Sequence, residues 1–127
     1  MANKVIKTAN APQPIGPYSQ GIMADDFLFV SGQGALDPSS GRLAGSDIES
    51  QTRQTLTNVK NIVEGAGLSL RDVVRVAVYL KNMKDFKQMN EVYKSFFTES
   101  APARTTVQVE LPLSDMLIEI DAIAHRG

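Results

Sequence analysis

Arg104 is the residue of this 127-residue sequence best suited to hold a small acid. It follows Pro102–Ala103 and leads into Thr105 to Val109, small and β-branched residues that read as a strand. A guanidinium is permanently charged, and its paired N–H donors match a carboxylate at two points. The same residue at a strand edge also makes surface or interface salt bridges, and spacing alone leaves both readings open. Glu119 and Asp121 stand two apart, roughly 6–7 Å on one strand face. Neighbouring carboxylates raise one another's pKa, which suits a general acid or base near neutral pH. The alternative is a solvated pair, or one bridged to Arg75. Ser31–Gly32–Gln33–Gly34 closes a strand with two glycines, whose missing Cβ atoms let a ligand approach the main chain. Tyr18, just after Gly16–Pro17, sets a phenol beside a rigid turn or else packs in the core.

Absences narrow the chemistry. Neither G-x-x-x-x-G-K-[ST] nor G-x-G-x-x-G occurs, so no phosphate-cradling loop is expected. There is no cysteine, which excludes disulfides, a thiolate nucleophile and cysteine metal sites, and suits a reducing compartment. The single histidine, His125, reads as a surface residue, because a metal site or a triad needs further groups. Thirteen basic residues face fourteen acidic ones and the pI is about 5.8, without the basic excess of a dedicated nucleic-acid binder. Residues 1–10 hold no apolar run of the secretory kind, and no stretch approaches the ~18 apolar residues of a membrane span. A cytoplasmic protein without a membrane partner is the expectation.

Residues 1–127 make one domain, long enough for a single core and too short for two. A first helix is expected from Ser46, with Ser46 and Glu49 as a capping box and Ile48, Thr52, Leu56, Val59 and Val63 as its apolar stripe. Gly65 and Gly67 stop it. A second is expected from Asp85, capped by Gln88, burying Phe86, Met89, Val92, Tyr93, Phe96 and Phe97 and ending before Pro102. Strands are expected near Lys4–Lys7, at Gln20–Ala24, Phe27–Val30, Val73–Leu80, Thr105–Val109 and Leu117–Ala124, with Asp25–Asp26 as a tight turn. Pro12, Pro14 and Pro17 hold the stretch before the second strand extended. This order suggests an α+β layer, one mixed sheet with both helices on one face. The other face is half apolar and half charged: Leu117, Glu119, Asp121 and Ile123 on the last strand, and Val73, Arg75, Ala77 and Tyr79 on the fourth. That composition suits sheet packing between subunits around a partly wet interior.

Several of these segments together resemble the RidA-type (YjgF-related) imine deaminases. The resemblance runs through Gly16–Pro17–Tyr18–Ser19–Gln20, Phe29–Val30–Ser31–Gly32–Gln33, Asp37–Pro38 with Gly41, Asn90–Glu91–Val92–Tyr93, Pro102–Ala103–Arg104 and Ile118 to Ala124. It implies a chorismate-mutase-like (YjgF-like) single domain assembled as a homotrimer, with clefts between subunits. It also implies hydrolysis of 2-enamine and 2-imino acids (2-aminoacrylate, 2-iminopropanoate, 2-iminobutanoate) to 2-oxo acids and ammonia. Such compounds arise from pyridoxal-phosphate dehydratases, so the implied role is metabolite damage control. No cofactor and no metal are implied. Carried over, Arg104 binds the substrate carboxylate, main-chain groups at Ser31–Gly32 hold the imine, Tyr18 lines the cleft, Glu119 polarises water and Asn90 shapes the site. Thr106 stands where some members have cysteine, and Asp121 where glutamate is frequent. Two other readings stand beside it: a non-enzymatic small-acid-binding module, and an endoribonuclease or translation inhibitor. The acidic pI and the single histidine argue against the second.

Overall fold

Two aspartates close the central hairpin. In this computed structural model, which describes residues 3–127, β2 (Gly21–Ala24) pairs antiparallel with β3 (Phe27–Gln33), Ala24 opposite Phe27. Asp25 and Asp26 form the two-residue loop, and Asp25 takes φ 52, a left-handed conformation that short polar side chains tolerate. Positions 1 and 2, which begin the segment read above for a leader, lie outside the described residues. β1 (Lys4–Ile6) extends the hairpin, and β4 (Val73–Leu80), β5 (Ala103–Gln108) and β6 (Ile118–His125) complete a sheet of order β1-β2-β3-β6-β4-β5. Among the described residues, only β4 and β5 run parallel. A parallel pair needs a crossover, and α2 (Phe86–Phe96) supplies it. The expected α+β architecture is the one observed.

α1 (Ile48–Gly65) packs on β3, β6 and α2 through the predicted stripe, all of which is buried. Its cap differs from expectation. Asp47, not Ser46, accepts from Ser50 N at 2.8 Å, while the Ser50 hydroxyl donates back to Asp47. A carboxylate at the positive end of a helix dipole outdoes the neighbouring hydroxyl. Of the two glycines expected to stop it, Gly65 is still helical and Gly67 makes the stop: it sits at φ +82, its N–H donates to Glu64 O, and Leu68 N donates to Val63 O, a Schellman closure. α2 lacks the Asp85–Gln88 box. The chain enters it through a 3-10 turn, Met83–Asp85, which puts Asp85 in the helical region, where its carboxylate cannot cap; Asn82 caps the turn at Lys84 N instead. Of the residues expected on α2's buried face, Phe86 is 39% exposed.

β4 also departs from strict alternation. A bulge between Val73 and Arg75 buries Val73 and exposes Val74, and regular alternation resumes at Arg75. Leu117 precedes β6 and packs against the core rather than away from it. The open face carries Val5, Phe27, Phe29 and Val107 beside Glu119, Asp121 and Arg75. His125 meets the Phe27 ring in a tilted contact, centroids 4.7 Å apart.

Gln20 ties the N-terminal stretch to this frame. Its side chain is 2% exposed, accepts from Thr8 N at 2.7 Å and donates to Thr8 O, Ala11 O and Pro12 O. A buried amide so connected cannot be replaced by an apolar residue of equal size, because the main-chain groups stay unpaired. Gln20→Leu is therefore expected to cost about 2–4 kcal/mol, read as a lower denaturant midpoint with an unchanged slope.

Candidate functional site

Glu119 lies on β6 among residues that alternate buried and half-buried; Ile118, Ile120, Ala122 and Ala124 face the helices, and Glu119 and Asp121 face away. On the neighbouring strand Val30 pairs with Ala122 and Gln33 with Ile120, so Ser31 and Gly32 together oppose Asp121. This bulge redirects the backbone, and Gly32 makes it usable. A Cβ there would lie 2.5 Å from Glu119 Oε2 and 2.9 Å from the carboxyl carbon. The carboxylate rests against bare main chain.

Tyr18, Gly32 and Glu119 line one cleft of about 90 Å³, walled otherwise by Leu36, Pro112, Leu113 and Met116. Buried amides of α1 hold these walls. Asn58 donates to Gly34 O and Leu36 O; Gln51 donates to Gly45 O and Asp115 O and accepts from Leu117 N. The Tyr18 phenol accepts from Ile15 N at 3.3 Å and is 47% exposed, so its core-packing alternative does not hold. Ser31 is occupied internally: its N–H donates to Gln20 O and its hydroxyl to Ser19 O. Ser31 thus ties the bulge to the Gly16–Gln20 segment, and Gly32 carries the accessible backbone.

Burial, with the Asp121 charge beside it, pushes the Glu119 carboxyl above the usual glutamate range. Asp121 accepts from the Tyr79 phenol at 2.9 Å, and that bond raises the Tyr79 pKa. Arg75 donates to Thr105 and does not bridge the carboxylates. Among the described residues no three His, Asp or Glu side chains cluster closely enough to hold a metal, and no helix is long and apolar enough to cross a membrane.

Arg104 stands elsewhere. It is the second residue of β5, not its forerunner, and pairs with buried Val76, so it points to the helix face. Its Cζ lies 4.6 Å from the Tyr93 ring centroid and 5.7 Å from that of Phe86. Phe86, Asn90 and Tyr93 share one face of α2 by their helical spacing, which brings Asn90 to the same seam. Glu119 reaches β5 only by way of Tyr79 and Val107, which sets it roughly 14 Å from Arg104 in the sheet plane and on the opposite face. The chain therefore brings Tyr18, Gly32 and Glu119 together, and Arg104 and Asn90 together, but does not join the two groups. Sequence patterning places the aromatic bed of Arg104 in the core alone. Phe86 and Tyr93, seven apart, were the available signal, yet their pairing with β5 is non-local. The apolar wall from Leu36 and Pro112 to Met116 had no signal at all.

Known proteins resemble this chain over nearly its whole length. The Endoribonuclease L-PSP family profile matches residues 8–126. A RutC family protein of Pyrococcus horikoshii is 56% identical over 97% of this chain and 98% of its own length. A 2-iminobutanoate/2-iminopropanoate deaminase of Salmonella typhimurium is 46% identical, covering 98% of both chains. The chain belongs to the RidA/YjgF family. The RidA/YjgF fold is also that of E. coli TdcF with bound serine, at TM-score 0.93 and 44% identity over 98% of this chain and 99% of that one.

Proposed function

We propose that the protein hydrolyses small 2-imino acids to 2-oxo acids and ammonia, at sites formed where two copies meet in a homotrimer. The observation that carries this reading is the Glu119 carboxylate lying against Gly32 with a raised pKa. A half-buried base beside free backbone groups is what an attacking water needs. Arg104, on its aromatic bed, is the matching acid anchor. Because it lies on the other face of its own sheet, a neighbouring copy supplies it. The half-apolar open face supports that packing. Small-ligand binding by the serine-bound neighbour and the deaminase activity named for relatives point the same way.

The step is chemically modest. Arg104 binds the carboxylate and Gly32 main-chain groups hold the C=N end, with Asn90 and Tyr18 shaping the cleft. Glu119 takes a proton from water as its oxygen bonds to the imine carbon. That proton passes to the imine nitrogen, giving a carbinolamine; the proton of its new hydroxyl then moves to the same nitrogen as the C=O bond forms and the C–N bond breaks, so ammonia leaves a 2-oxo acid. Neither metal nor organic cofactor is needed for this sequence, and the setting is cytoplasmic. Ammonia release from freshly generated 2-iminopropanoate, above the spontaneous rate, tests the reading; a rate equal to the spontaneous one leaves only a binding module. Sedimentation at micromolar concentration is expected to give three times the chain mass, and a monomer there ends the shared-site reading.

Gly32→Ala is expected to lower kcat/KM by about 10²-fold, because a displacement near 1 Å at a reacting group costs that much. Circular dichroism should show an unchanged fold, since the bulge faces away from the core.

A further inference from the structure

The seam between α2 and β5 holds polar atoms that the reading above does not use. The Tyr93 hydroxyl, the Thr106 hydroxyl and Asn90 Oδ1 are all buried and have no hydrogen-bond partner in the protein. Tyr93 is 6% exposed. Buried hydroxyls are almost always paired, because an unmade hydrogen bond there is costly. Two other orphans, Thr52 and Thr55, sit on the buried face of α1. The seam differs, because all three of its orphans surround one cation. The Arg104 guanidinium lies over the Tyr93 ring, Thr106 follows two residues along the same strand face, and Asn90 is one turn from Tyr93. Burial raises the phenol's pKa against the opposing pull of Arg104, so it keeps its proton at neutral pH and can donate. Two hydroxyl donors beside a guanidinium are complementary to an anion with several lone pairs.

We propose that Tyr93 is a second anchor for the substrate's acid group, its ring holding the Arg104 guanidinium while its hydroxyl and that of Thr106 donate to the carboxylate. This rests on the proposed deaminase reading for the identity of the acid, but predicts binding rather than turnover. A carboxylate presents about four acceptor sites and a guanidinium fork fills two, so two hydroxyls complete the set. Asn90 Oδ1, an acceptor, is then left for the N–H of the imine.

Calorimetric titration of the assembled protein with 2-oxobutanoate tests the proposal, run beside thermal melts. Tyr93→Phe keeps the ring under Arg104 and removes only the hydroxyl. It is expected to weaken 2-oxobutanoate about 10- to 100-fold, the range for a hydrogen bond to a charged group. Its Tm should be unchanged or higher, because a buried hydroxyl without a protein partner is lost. Thr106→Val should act in the same direction. The neutral analogue 2-oxobutanamide, whose amide oxygen accepts a weaker hydrogen bond than a carboxylate, should lose less affinity in Tyr93→Phe. Affinity within twofold of wild type in Tyr93→Phe overturns the proposal, and so does weaker binding with a lowered Tm, the mark of a packing role. Arg104→Ala separates the two levels. If it loses 2-oxobutanoate while Tyr93→Phe does not, the second anchor falls and the deaminase reading stands; if Arg104→Ala binds as wild type, both fall.

Discussion

Arg104→Ala is expected to lower kcat/KM for 2-iminobutanoate at least ~30-fold, and Arg104→Lys should recover only part of it. Removing one partner of a partly buried charge pair costs about 2–5 kcal/mol, and each 1.4 kcal/mol is a decade. The half-buried setting of Arg104 places it in that class rather than among exposed ion pairs of little worth. Two contributions are removed together, the fork that matches a carboxylate and the stack over Tyr93 and Phe86 that aims it. Lysine restores the charge but neither the planar stack nor the paired donors. The loss should fall mainly on KM, with a smaller fall in kcat from misorientation. Steady-state ammonia release over a range of imine concentrations separates the two. Wild-type kinetics in the alanine variant removes Arg104 from the site.

The stack under Arg104 marks the limit of what the chain reveals before it folds. Alternation along Ile118 to Ala124 exposed both the core face and the Glu119–Asp121 face, because period-2 patterning is local and β6 obeys it throughout. Helical spacing gave the α1 stripe for the same reason. Caps were less legible. Ser46 and Asp47 are both competent, and which one closes the helix depends on where the preceding loop arrives. At Asp85 the entry through a 3-10 turn decides the matter against the local signal. The Val73–Val74 bulge reverses two residues whose types are identical, so composition carries no trace of it. The separation of Arg104 from Glu119 is likewise invisible in the linear order. It follows from β5 pairing parallel with β4 at the sheet edge, a tertiary choice made possible by α2.

Glu119→Gln is expected to cause the largest loss, about 10²–10⁴-fold in kcat, the range general-base catalysis contributes. Glutamine keeps the volume and the contact with Gly32, so KM should change little and the amide should simply fail to accept a proton. Wild-type activity should fall as pH drops through the Glu119 pKa, and that acid limb should lie above the range of an ordinary glutamate, because burial and Asp121 both disfavour the charge. Asp121→Asn removes the second of these causes and should move the limb to lower pH with the maximal rate retained. Stability carries the same signature with opposite sense. A carboxyl whose folded pKa is raised contributes stability while protonated and loses it as pH rises through that pKa. Glu119→Gln should therefore melt above the wild type at neutral pH, and the two curves should converge in acid. A variant inactive yet more stable at neutral pH is the behaviour of a base held under electrostatic strain for its chemistry. Equal melting temperatures at every pH, with activity retained, would return Glu119 to an ordinary half-buried surface carboxylate.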